Sequence, residues 1–174
     1  HSYWDAFWAL KGWKDGRAAA EILGSNDVAR WADDQYKIFK DSLRKSLEAT
    51  IAHKGINFIP GCAEKGDMDA TSTEIGISPC QELDVMPRAA LDNTYEMFYN
   101  DLKRRLEPGW NGTYTPYELR SVTAFEAIGH KDRAIELLDF IMNDRRPLGW
   151  NHLAEVVLGE ERKGGYIGDM PHTW

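Results

Sequence analysis

A chain of 174 residues, 43% hydrophobic and 28% charged, has enough apolar side chain for one substantial core and too little charge bias for disorder. Its formal net charge of −7, with Lys103-Arg104-Arg105 as the largest basic cluster, argues against nucleic acid or an anionic membrane surface as a partner. No apolar run approaches the roughly 20 residues that cross a bilayer, so no membrane partner is expected.

Apolar periodicity is helical nearly throughout, and no segment alternates convincingly as a strand. The first helix is predicted from about Tyr3 to Leu23, with Trp4, Phe7, Trp8, Trp13, Ala19, Ile22 and Leu23 on its apolar positions and Gly24 as its stop. Ser25 or Asn26 caps a second helix to about His53, whose stripe is Val28, Trp31, Ala32, Tyr36, Phe39, Leu43, Leu47 and Ile51. Joined by a tight turn, the two make an antiparallel αα-hairpin.

A loop from Lys54 to about Ala70 follows, rich in glycine and long enough to be functional, and Thr71-Ser72-Thr73-Glu74 reads as a capped helix start. A helix from about Pro87 to Leu106 ends at Glu107-Pro108-Gly109. Thr115-Pro116-Tyr117-Glu118 restarts the chain with a cap and a first-turn proline. Segments Pro116 to Ile128 and Lys131 to Arg145 form another hairpin about Gly129-His130, and Trp150 to Leu158 is predicted to begin one more helix. Gly109-Trp110-Asn111 returns about 40 residues later as Gly149-Trp150-Asn151, the period of stacked helical hairpins.

Two cysteines, Cys62 and Cys80, stand in loop-like settings from which a disulfide could form. Seven Trp and seven Tyr exceed what a core of this size needs, because both rings carry a polar atom that wants a partner. Tryptophan flanks carboxylates at both ends, in Tyr3-Trp4-Asp5-Ala6-Phe7-Trp8 and in Gly168-Asp169-Met170-Pro171-His172-Thr173-Trp174. Sugars ask for this pairing: their C–H faces stack on aromatic rings, and their glycosidic oxygen needs carboxyl groups that give and take a proton. Trp4, Phe7 and Trp8 also fit a helix face packed into a core, whereas Asp5 has no evident partner there. The chain opens inside one motif and closes on another, as a segment of a longer polypeptide would.

Tyr3-Trp4-Asp5-x-x-Trp8, Gly149-Trp150-Asn151-His152 and the closing Gly168-Asp169-Met170-Pro171-His172-Thr173-Trp174 together resemble the six-hairpin glycoside hydrolases, the (α/α)6-toroid enzymes that include trehalases, glucoamylases and processing α-glucosidases. The resemblance implies an all-α array of antiparallel hairpins amounting to about half of a toroid. It also implies that Asp5 is the general acid, with a later carboxylate as the base that activates water, and that no cofactor takes part.

Inverting hydrolysis needs a protonated carboxyl and an ionised one roughly 6.5–9.5 Å apart. Burial among Tyr3, Trp4, Phe7 and Trp8 is expected to disfavour the charge on Asp5, which suits an acid. The candidates for the base are Glu155, Glu118 and Asp169, in that order. Each has a structural alternative: an ion pair for Glu155, the positive end of a helix for Glu118, and a helix cap for Asp169. Trp4, Trp8, Trp110, Trp150 and Trp174 are candidate sugar platforms, and His152 and His172 candidate hydroxyl partners. The acidic loop of Glu64, Asp67, Asp69 and Glu74 lacks the spacing of an EF-hand and is expected to be solvated, with no metal.

The sequence thus predicts one α-helical domain over residues 1–174, a piece of a glycosidase-like catalytic domain. Alone it is expected to be inactive, because half a ring leaves inner helix faces uncovered for a second copy to cover. The alternatives are a helical-repeat scaffold that binds a peptide, and a sugar-binding domain without catalysis.

Overall fold

The structure is a computed structural model that describes residues 1–144, 146, 149, 152–160 and 168. The described residues are all-α, with isolated bridges in place of any strand. The chain divides into two compact units, His1–Thr94 and Tyr95–Trp174.

In the first unit, α1 (Tyr3–Ile22) begins where the Ser2 hydroxyl accepts from the Asp5 amide at 3.4 Å, and Gly24, at φ +71°, turns the chain into α2 (Asn26–Lys54). Tyr3 meets Ser46 and Thr50 through its hydroxyl at 2.9 and 2.8 Å, Trp13 meets Trp31 edge to face at 5.2 Å, and Arg17 meets Asp33 at 2.7 Å. As one helix ascends the other descends, so the predicted antiparallel hairpin is present.

Its buried face differs from the predicted one. The core side of α1 is Tyr3, Phe7 and Leu10 with Ala20, while Trp8 is 40%, Ile22 85% and Leu23 79% exposed. Tyr3 takes the inward place because Ser46 and Thr50 satisfy its hydroxyl, which lets a polar ring bury without loss. On α2, Ala29, Ala32, Leu43 and Leu47 are buried, and Val28 and Trp31 turn outward.

The loop after α2 folds back on the head of α1: the Tyr3 amide donates to the Gly61 carbonyl and the Ala63 amide to the His1 carbonyl, both at 3.0 Å. Cys62 and Cys80 are free thiols, Cys80 wholly buried, and burial pushes its thiol up to about 11. Helix α3 (Ala70–Ile77) starts one residue before the predicted Ser/Thr caps, because Asp69 caps it. It lies against α1 at Gly76, where an added Cβ would sit 2.7–2.9 Å from the ring of Phe7. Gly76→Ala is expected to cost about 1–3 kcal/mol despite alanine's better helix propensity, since Phe7 is fully buried and has nowhere to retreat. A lowered urea midpoint at unchanged slope checks this.

Segment 78–86, with a 3-10 turn at Leu83–Val85, is tied down by charge. Glu82, fully buried, accepts from Lys14 at 2.7 Å, from Lys40 at 3.0 Å and from the Tyr36 hydroxyl at 3.0 Å on each oxygen. Lys40 also reaches Asp84 at 2.9 Å, and Lys14 donates to the Cys80 carbonyl. Burial works against the Lys40 charge, but hydrogen bonds to Asp84, Tyr36 and Glu82 outweigh it and hold the ammonium well above the ordinary lysine range.

Helix α4 (Arg88–Arg105) runs past the boundary into the second unit. There Phe125 is the centre of an aromatic core, 5.6 Å from Tyr95, 6.0 Å from Phe98 and 6.1 Å from Tyr99. A 3-10 turn (Pro116–Arg120) leads into α5 (Ser121–Ile128), where one continuous helix was predicted. The Thr115–Glu118 capping box and Pro116 fix that tight entry. Gly129, at φ +95°, closes α5 and returns the chain as α6 (Lys131–Asn143), which packs on it.

The predicted helix from Trp150 to Leu158 is not formed over its described part. Residues 152–158 carry no helix, and Val157 pairs with Tyr114 through two amide hydrogen bonds of 3.1 and 2.9 Å. Leu153, Ala154 and Val157 are buried, so this apolar run fills the core without forming a helix.

Candidate functional site

Candidate residues fall in both units. In the first, Asp5 lies in the opening turn of α1 with its side chain exposed, which corrects the expectation that aromatic neighbours bury it. The Ser2 cap sets the phase of the helix: Tyr3 and Phe7 enter the core, and Asp5 and Trp8, three residues apart, share the outward face. Trp4 is half-buried at the edge of that face. A carboxylate beside an accessible indole is what a sugar ring needs at one of its ends.

Among the acidic loop residues, Asp69 is committed to α3: its carboxylate accepts from the amides of Thr71 and Ser72 at 3.0 Å and from their hydroxyls at 2.7 and 2.5 Å. Burial works against its charge, but those bonds hold the carboxyl below the ordinary aspartate range. Glu64 and Asp67 are exposed and Glu74 is buried. Among the described residues no group of three or more His, Cys, Asp or Glu is placed to hold a metal ion.

In the second unit the structure separates the two glutamates by chemistry. Glu118 is buried, forms an ion pair with Arg105 and completes the capping box with Thr115. The same guanidinium takes Asp101 at 2.8 Å. The partners respond differently: burial lifts the Glu118 carboxyl above the ordinary range in spite of Arg105, while Glu118 and Asp101 overcome burial to hold Arg105 charged. Glu118 thus helps to hold the turn.

Glu155 stands differently. It is half-buried, its Oε1 accepts from the Tyr117 hydroxyl at 3.1 Å, and its carbonyl accepts from the Thr115 hydroxyl at 2.8 Å. Beside its Oε2 runs Gly168, where an added Cβ would lie 2.1 Å from that oxygen, and φ of +69° also favours glycine. The closing motif therefore begins next to Glu155. His152 is half-buried nearby in sequence.

Trp110, a candidate platform, is half-buried among aromatic and cationic neighbours. Guanidinium centres of Arg105 and Arg146 lie 5.9 and 5.4 Å from its ring, Phe140 meets it edge to face at 5.7 Å, and Gly112 leaves no room for a Cβ against it. Arg146 also donates to the carbonyls of Gly112 at 3.1 Å and Leu158 at 2.9 Å, so this indole and guanidinium hold the loops that carry Glu155. Trp150, Asp169, His172 and Trp174 lie outside the described residues.

Sequence reasoning missed Tyr117, Arg105 and Arg146. Tyr117 was visible only as part of a helix start, and the signal for the other two, a positive charge between aromatic residues, needs three-dimensional neighbours to be read. Compared with protein-family models, curated protein sequences and solved structures, the chain matches none.

Proposed function

We propose that this chain is part of a carbohydrate-active hydrolase similar to the six-hairpin glycosidases, about half of such a ring, and that it cleaves an O-glycosidic bond with two carboxyl groups and no cofactor. The observation that carries the reading is Glu155, a half-buried carboxylate held by a phenol and flanked by glycine main chain. As the base it would take a proton from water as the water attacks the anomeric carbon. Asp5 is the proposed acid: it is exposed on the outward face of α1 that also carries Trp8. Trp4 and Trp8 serve as the platforms.

The test is hydrolysis of a panel of aryl glycosides and disaccharides by the full natural polypeptide. Glu155→Gln and Asp5→Asn are each expected to lower kcat by about 100- to 10,000-fold with the fold intact by circular dichroism. Wild-type rates in either variant remove that residue from the mechanism, and a wild type that hydrolyses no glycoside removes the reading. The alternative, a scaffold that binds protein or a second copy, draws support from Ile22, Leu23 and Trp31 (55% exposed) on the α1–α2 hairpin. It is favoured if peptide binding or self-association survives both substitutions while no sugar is turned over.

A further inference from the structure

We propose that Asn111 is a site of spontaneous main-chain rearrangement: its carboxamide closes onto the Gly112 amide, loses ammonia and reopens with water as isoaspartate. The inference stands apart from the reading as a hydrolase. Asn111-Gly112 is the one Asn-Gly pair in the sequence. Asn111 is exposed, and residues 110–113 carry neither helix nor bridge. Among the described residues no hydrogen bond engages the Asn111 side chain or the Gly112 amide, so both reacting groups are available. Glycine has no Cβ to shield its nitrogen, and its main chain turns freely enough to meet the carboxamide. Asp15-Gly16 could close the same kind of ring, but its glycine amide lies inside α1 and is spent in the helix ladder.

The reaction consumes only water. A solvent base takes the Gly112 amide proton, and the nitrogen attacks Asn111 Cγ. A cyclic imide forms as the Cγ–Nδ2 bond breaks and Nδ2 leaves, protonated, as ammonia. Water then opens the imide: addition at Cγ gives aspartate, and addition at the main-chain carbonyl gives isoaspartate, with the chain routed through Cβ. Nothing is oxidised or reduced. The fold gives that extra carbon a consequence. The Trp110 ring lies so near Gly112 that an added Cβ would sit 2.5–2.9 Å from it, and the Asn111 carbonyl leaves no room for a Cβ on Gly159. Arg146 donates to the carbonyls of Gly112 at 3.1 Å and Leu158 at 2.9 Å, and so ties residues 110–112 to the 152–160 segment. A longer main chain at 111 carries the Gly112 carbonyl out of that register and loosens the tie, whereas aspartate at 111 keeps it.

The experiment ages the full natural polypeptide at about pH 6 and about pH 8, folded and in urea, and follows residue 111 by peptide mass and by enzymatic methylation of the isoaspartyl carboxyl. Conversion in the folded protein is expected within about tenfold of the urea rate, and faster by about tenfold per pH unit, because the attacking amide is the deprotonated one. A fold that protects Asn111 by about 100-fold or more overturns the proposal, as does isoaspartate that gathers elsewhere while residue 111 stays intact. Amide hydrogen exchange at residues 153–157 reads the consequence: it is expected to quicken about tenfold or more in aged wild type, and to stay unchanged in Asn111→Asp and in Asn111→Gln aged alongside. Equal exchange in all three proteins, with residue 111 converted in wild type, overturns the loosening. No glycoside enters these measurements, so their failure is distinct from failure of the hydrolase reading.

Discussion

Glu82→Ala is expected to destabilise the first unit by about 3 kcal/mol or more, the cost of breaking a buried ion pair from one side. Glu82 is fully buried and accepts from Lys14, Lys40 and the Tyr36 hydroxyl, so its loss leaves two ammonium groups, about a quarter exposed or less, facing the hole it filled. Of the two lysines, Lys40 keeps Asp84 at 2.9 Å and the Tyr36 hydroxyl at 3.1 Å, and Lys14 keeps the Cys80 carbonyl and the Tyr36 ring, 5.9 Å away. The damage therefore concentrates where α1 meets segment 78–86. Urea unfolding checks it as a fall in midpoint at constant slope. Replacing all three groups by apolar residues, Lys14→Met, Glu82→Leu and Lys40→Met, is expected to recover most of the loss, because desolvation of the charges disappears with them. If the triple variant is no more stable than Glu82→Ala alone, packing and not charge explains the site.

The second large effect belongs to Arg105. Its side chain and that of Glu118 are each about one-tenth exposed, and among the described residues Arg105→Ala leaves the buried carboxylate with the Thr115 amide at 3.5 Å. A loss on the order of 3 kcal/mol at about pH 7 is expected. The pH dependence gives the sign. Burial already raises the folded Glu118 carboxyl above its unfolded value, and without Arg105 it rises further. A carboxyl raised by folding binds its proton more tightly in the folded state. Its contribution to stability is present in full below the unfolded value and is lost as pH rises through the folded one. The deficit of Arg105→Ala relative to wild type should therefore shrink as pH falls from about 7 to about 4. Asp101, whose carboxyl Arg105 and Arg104 hold low against burial, works the same way on the difference, since wild type loses that support in acid and the variant has already lost most of it. Unfolding free energies at the two pH values measure it, and a deficit that stays constant or grows would show that Glu118 is not the group left exposed to the change.

Most of the helical layout is readable from the chain alone. Gly24, Gly55 and Gly129 stop helices at positive φ, and apolar residues recur at helical spacing between them, so α1, α2, α4 and α6 lie close to their predicted bounds. What fails is the choice of face. A hydropathy pattern ranks Trp8, Ile22 and Leu23 above Tyr3, yet Tyr3 is buried because Ser46 and Thr50, on another helix, receive its hydroxyl. The same limit hides the site. Tyr117 and Glu155 are 38 positions apart and Tyr36 and Glu82 are 46 apart, and no local spacing announces either bond. Residues 152–158 misread as helix for a related reason: apolar runs of that length are ambiguous, and pairing with Tyr114 decides the outcome. Asp5 was correctly placed at a helix start and wrongly expected to be buried.

The segment around Glu155 is held by contacts and not by a helix. The bridge of Tyr114 with Val157, the Thr115 and Tyr117 hydroxyls and the Arg146 guanidinium anchor it. Such a segment comes loose by fluctuation at a free-energy cost well below that of melting the helices. Mild heat would then release this segment in a molecule whose helical spectrum still looks native.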